Sequence, residues 1–165
     1  MKTVHSSDMV AHLWANRSQD AARTAGQNFY FTGPVLYSYG SHFVIGAHLD
    51  DGRILWNDAT YGNPTSRHQT HAWRALNRQQ NENRLHVPSL NHDTYRNLER
   101  LRDSGDGRTL PTLAQNCMDG IVDAVESMSK MRLGCGRIEL AFSRAKGLEK
   151  SADALRAYVA KGKRI

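Results

Sequence analysis

Two histidines, His42 and His68, are the residues in this chain best suited to acid–base work. One neutral and one protonated imidazole suffice for a metal-independent transphosphorylation or hydrolysis, with Arg67 or Asn57 steadying an anion. His42 and His68 are therefore the catalytic candidates, a pair that acts only if the helix bearing His68 folds back over the strand bearing His42. His68 and His71, three residues apart, could reach one metal together with His42 or Asp58. Periodicity argues against that use: His71 points with arginines, whose charge repels a cation, and His68 leans towards the core. No metal site and no cofactor are expected.

The same region offers a binding surface. Arg67, His71, Arg74 and Arg78 follow one another at spacings of four, three and four, which sets them on one side of a helix. No acidic residue interrupts them. Tyr37, Tyr39, Tyr61 and His42 fall in neighbouring strands or turns, and aromatic rings beside a cationic helix face suit a surface that tracks a phosphate backbone and stacks bases. Aromatics and arginines are equally the anchors of protein interfaces. The binding candidates are thus Tyr37, Tyr39, His42, Asn57, Tyr61, Arg67, His71, Arg74 and Arg78.

Motifs that would point elsewhere are missing. The chain has no phosphate-binding Gly-x-x-x-x-Gly-Lys-Ser/Thr loop, no Cys-x-x-Cys, no His-Glu-x-x-His and no Gly-x-Ser-x-Gly elbow. Gly134-Cys135-Gly136 lacks the strand and third glycine of a dinucleotide site. No helix-turn-helix or ribonucleoprotein signature is present, so nucleic-acid binding here is expected to be indifferent to sequence.

These residues need elements to hold them. Ser6 or Ser7 caps a helix over about 8–15, with Met9, Val10, Leu13 and Trp14 on one face. Residues 16–28 are polar and read as irregular. Phe29–Phe31 and Val35–Tyr39 read as strands about Gly33-Pro34, and a second hairpin pairs 42–49 with 53–59 about Asp51-Gly52, a two-residue type I′ signal. That turn predicts the pairs Leu49–Ile54 and Ala47–Trp56 on an apolar face, with His48–Leu55 and Gly46–Asn57 on a mixed working face. A helix from Thr65 or Ser66 to about Gln79 follows, with Ala72, Leu76 and His68 inward, then an Asn-rich loop over 77–91. Beyond it the periodicity predicts helices through Leu98 and Leu101, then from Pro111 through Cys117, Ile121, Val125 and Met128. A last helix runs through Ile138, Phe142, Ala145, Leu148, Ala152, Leu155 and Val159. The final two form an antiparallel αα-hairpin about Leu133–Arg137.

The fold class is α+β: a small antiparallel sheet of two hairpins with packed helices, then a C-terminal helical region. Two units are expected, 1–88 and 89–165, each marginal alone and so packed together. The 165 residues carry a net charge of +6, with 8 Lys/Arg against 6 Asp/Glu over 1–91 and 14 against 10 over 92–165. A positive excess of this size favours polyanionic partners. No apolar run of membrane-spanning length and no secretory h-region occurs, and two cysteines without an export signal read as thiols, so a cytoplasmic protein is expected.

Trp14-Ala15-Asn16, Tyr37-Ser38-Tyr39-Gly40-Ser41-His42-Phe43, and Tyr61 followed by Thr65-Ser66-x-His68 resemble a family of small uncharacterised bacteriophage and mobile-element proteins, a domain of unknown function. The likeness spans about 10–76, and Val44 stands where that family usually has proline. The resemblance implies a viral or plasmid setting, hence the cytoplasm of a host cell, and no particular reaction. The expected function is a non-sequence-specific nucleic-acid-associated accessory protein. The alternatives are a protein–protein inhibitor of a host nucleoprotein defence complex, of the anti-CRISPR kind, and a nuclease or phosphodiesterase built on the two histidines.

Overall fold

The computed structural model describes residues 2–131 and 136–162. Its first helix, α1 (Ser7–Ala15), starts where the Ser6 hydroxyl accepts the Met9 N–H, and it buries Val10, Ala11, Trp14 and Ala15. Six strands follow in one sheet: β1 (Ala21–Arg23), β2 (Phe29–Thr32), β3 (Val35–Ser38), β4 (Val44–His48), β5 (Ile54–Asn57) and β6 (Arg84–Val87), in that spatial order. The first five pair antiparallel with their neighbours. Between β5 and β6 lie α2 (Asn63–Ala75) and α3 (Arg78–Glu82); after β6 come α4 (His92–Ser104), α5 (Thr112–Ser129) and α6 (Gly136–Ala160). This is an α+β architecture, and no helix among the described residues is long and apolar enough to cross a membrane.

The second hairpin corrects the expected register by one residue. Gly46 pairs with Trp56, Ala47 with Leu55 and His48 with Ile54. The loop holds three residues rather than two: the Leu49 N–H bonds to the Arg53 carbonyl, the Gly52 N–H returns to Leu49 O at 3.1 Å, and Gly52 takes φ +84°. That is a type I turn closed by a left-handed glycine, and Asp50-Asp51-Gly52 satisfies it as readily as the two-residue form. Asp51 secures it by accepting the Arg53 N–H at 3.1 Å and its guanidinium at 2.6 Å. The predicted division into an apolar and a working face is also lost, because every residue of β3, β4 and β5 is buried.

Gly46 explains how α1 docks. A Cβ there would stand 3.0 Å from Leu55 O and 3.1 Å from the Trp14 ring, so the indole occupies space that any side chain would fill. Trp14 Nε1–H donates to Pro34 O at 2.8 Å, and the ring lies 4.7 Å from that of His48. Around it pack Val10, Ala11, Phe29, Phe31, Leu36, Ile45, Ile54, Ala72 and Leu76. His48 is buried in this core, where its Nε2–H donates to the Trp14 carbonyl at 3.1 Å.

Three further expectations change. Residues 16–28 contain β1, which pairs with β2 and forms a bridge from Arg23 to Val4. The helix expected to reach Gln79 ends at Ala75, since Leu76 is extended and Asn77 opens α3 with a reciprocal capping box to Gln80. The region 77–91 holds α3 and β6 rather than a loop.

The chain divides into two compact units, one comprising the residues through Leu85 with Leu90–His92, the other His86–Ser89 and everything from Asp93. In the second, α5 and α6 run antiparallel, with Met118 beside Arg156 and Gly120 beside Leu148. Arg102 of α4 lies 4.0 Å above the Tyr158 ring and donates to its carbonyl, and Tyr158 donates to Glu99. Cys117, Ala145, Leu148, Ala152, Leu155 and Val159 are buried as the periodicity predicts, whereas Val125 and Phe142 are exposed. The Leu133–Cys135 connection lies outside the described residues.

Replacing Gly46 by Ala should destabilise the fold by about 1–3 kcal/mol, because the methyl group must displace backbone or Trp14. Urea unfolding checks this, and a change below about 0.5 kcal/mol contradicts the packing. Desolvation lowers the His48 pKa from 6.5 to about 4, outweighing its bond to Trp14. As pH falls from 6.5 towards 4 the unfolded chain takes up a proton that the folded chain refuses, so stability drops over that window and levels off below it. The total loss is about 3 kcal/mol at ~1.4 kcal/mol per pH unit. His48→Gln, which keeps a donor for the Trp14 carbonyl, should flatten the slope; equal slopes in both proteins contradict it.

Candidate functional site

The helix that carries most of the candidate residues is α2. Gly62 precedes it, Pro64 sits in its first turn where no N–H is needed, and Thr65, His68 and Ala72 face inward. At about 100° per residue, Ser66, Arg67, Thr70, Trp73 and Arg74 share the opposite arc, and all five are exposed. No Asp or Glu occurs anywhere between Asp58 and Glu82.

The expected four-residue stripe is divided by the break at Leu76. Arg67 and Arg74 stand on the outer arc of α2, and among the described residues no ion pair engages either of them. His71 sits at the edge of that arc, half-buried, with Nδ1 2.5 Å from Asp8 Oδ1 of α1. Arg78 belongs to α3, where it pairs with Glu82 four residues on at 2.8 Å. His71 and Arg78 are thus committed to structure, whereas Arg67 and Arg74 face solvent.

The aromatic candidates divide likewise. Tyr39, held at φ +56°, is 49% exposed, and Tyr61 is 65% exposed with its ring 5.9 Å from Phe43. Tyr37 is buried: it stacks on Tyr30 at 5.0 Å, and its hydroxyl shares a 2.8 Å hydrogen bond with His92 Nδ1. Asn57 is buried as well. Its amide donates to Val44 O at 2.8 Å and Leu90 O at 3.1 Å, while its oxygen accepts the Ala59 N–H at 2.9 Å. It ties the end of β5 to the chain on either side and offers nothing to an anion.

His68 is buried between rings, stacked on Phe29 at 4.6 Å and tilted against Tyr39 at 5.6 Å. Its Nδ1 shares a 2.9 Å hydrogen bond with Ser38 Oγ, which also donates to Thr65 Oγ1 at 3.3 Å. Burial, reinforced by His71, lowers its pKa and favours the neutral ring. His42 is exposed, its ring against Gly40. Among the described residues no hydrogen bond or ring contact joins His42 to His68, and no cluster of three or more His, Cys, Asp or Glu is placed to hold a metal.

One residue of the outer arc escaped the sequence reading. Trp73, 50% exposed, lies at the edge of that arc beside Ser66, about 100° round the helix from Arg74. Its angular position follows from the same periodicity that orders the arginines. Comparison of the chain with protein-family models, with curated proteins and with solved structures finds no match.

Asn57→Ala should cost about 2–3 kcal/mol in urea unfolding, since it removes three hydrogen bonds made by a buried side chain. Tyr61→Ala should stay within about 0.5 kcal/mol of the parent protein. Comparable losses in the two variants contradict this division of roles.

Proposed function

We propose that this chain is a non-sequence-specific nucleic-acid-associated accessory protein of a phage or mobile element, acting in the host cytoplasm through the outer face of α2. The observation that carries the reading is the exposed group Arg67–Trp73–Arg74, cationic and aromatic, on a stretch that lacks any acidic side chain. Guanidinium groups that no ion pair engages among the described residues can displace the counterions condensed on phosphates, and an exposed indole supplies a face that every base can stack on. Tyr61, one residue before the Gly62 cap, and Tyr39, against His68, extend the aromatic surface at the margins of the helix.

The other two readings have less behind them. A protein–protein inhibitor is favoured by Val122 and Val125 of α5 with Leu140 and Phe142 of α6, all exposed. A paired-histidine nuclease would need His68 to present its ring, which is packed between Phe29 and Tyr39.

Binding of a labelled oligonucleotide, followed by anisotropy over a salt series, tests the proposal. Affinity should fall steeply with salt, and Arg67→Ala combined with Arg74→Ala should reduce the slope of log K against log salt by roughly 1.4 for a single strand. No binding at low salt, or an unchanged slope in the double variant, overturns it.

A further inference from the structure

Beside the outer arc of α2, an open cleft of about 330 Å³ lies between the helix and the end of β5, at the lower end of the ~300–1,000 Å³ range of small-ligand sites. Trp73, Ser66, Thr70 and Gln69 line it from α2, and Trp56, Asp58 and Arg84 line it from the sheet side. The two walls differ in chemistry. Trp73 brings a half-exposed indole, whereas Arg84 brings a guanidinium whose central carbon stands 4.9 Å from the Trp56 ring centroid. An aromatic face and a guanidinium plane are the two surfaces on which proteins stack unpaired bases.

Resting on the nucleic-acid reading above, we infer that this cleft is a base-binding subsite, which takes one unpaired nucleobase between Trp73 and Arg84 while the strand's phosphates lie along Arg67 and Arg74. The position of Asp58 fixes that polarity. Its carboxylate on the cleft wall repels a phosphate, and its field supports the charge of Arg84 against the burial that opposes it. Arg67 and Arg74, which no ion pair engages among the described residues, are on the outer arc of the helix, so the backbone belongs there and the base, uncharged and flat, belongs in the cleft. A duplex keeps its bases stacked on one another and cannot fill the cleft without extruding one. The subsite therefore makes the protein prefer single strands to duplexes.

The three tryptophans provide the readout. Trp14 and Trp56 are buried, Trp56 under the Arg84 guanidinium, and Trp73 is half-exposed, so the part of the quench that Trp73→Ala removes reports on Trp73. The full chain is titrated at low salt with oligo(dC) of about 12 nucleotides, inside the ~4–16 span of known single-strand sites, and with a duplex of equal length. The expected result is quenching by the single strand alone and affinity for it about tenfold above that for the duplex. Trp73→Ala should abolish the quench and most of that preference, and Trp73→Phe, which keeps a ring, should restore the preference. Equal binding of single strand and duplex, with Trp73→Ala behaving as the parent, overturns the subsite while leaving cationic binding by α2 intact. No binding of either nucleic acid overturns the α2 reading itself and the subsite with it.

Discussion

The indole of Trp14 seated over Gly46 sets the geometry on which the first unit depends. A glycine in the middle of a five-residue strand sacrifices β propensity and side-chain packing, and here the vacated volume is filled from outside the sheet. The register of the Asp50–Gly52 hairpin decides where that gap falls, opposite Trp56 and beside His48. With Trp14 anchored, α1 has a fixed position, and its Asp8 meets His71 of α2 while its Ala15 carbonyl accepts from Gln80 at 2.6 Å. The Asp8–His71 bond, together with the burial of Thr65, His68 and Ala72, settles the rotation of α2 about its axis. The outward direction of Arg67, Trp73 and Arg74 is therefore a consequence of packing on the opposite side of the same helix.

Hydrogen bonding then separates the basic side chains that build from those that can bind. His71 and Arg78 both have carboxylate partners within hydrogen-bonding distance, one across to α1 and one along α3. Such exposed pairs contribute little to stability, but each makes its basic side chain less available to an outside anion. Arg67 and Arg74 have no such partner among the described residues, and the acid-free run from Ala59 to Asn81 leaves their field locally uncompensated. Arginine at both positions suits phosphate recognition, because a planar fork of donors matches paired oxygens better than a point charge does.

Much of the fold was legible because the residues responsible act locally. Ser6 caps α1, Gly33-Pro34 turns β2 into β3, and the threefold and fourfold spacing of Ala145 to Val159 marks the buried side of α6. What failed was decided by neighbours. Asp50-Asp51-Gly52 accommodates either a two- or a three-residue loop, and both strands are so apolar that alternation could not choose between registers. Tyr37 and Asn57 read as surface residues because a polar group suggests solvent, but each lies in a strand buried along its whole length and spends its polar atoms on internal bonds. Two features had signals that were passed over: Asn77-x-x-Gln80 is a capping-box pattern that breaks the helix after Ala75, and Arg84-Leu85-His86-Val87 alternates as a strand does, with Leu85 and Val87 buried.

The central claim is that α2 presents a nucleic-acid surface on the side turned away from Trp14. Zero-length ultraviolet cross-linking of the full chain to a bound oligonucleotide, followed by mapping of the adducts by mass spectrometry, addresses it most directly. The account predicts adducts concentrated on the peptide from Tyr61 to Arg74, with Trp73 the principal site. Adducts confined to α5 and α6, with that peptide unmodified, would contradict it.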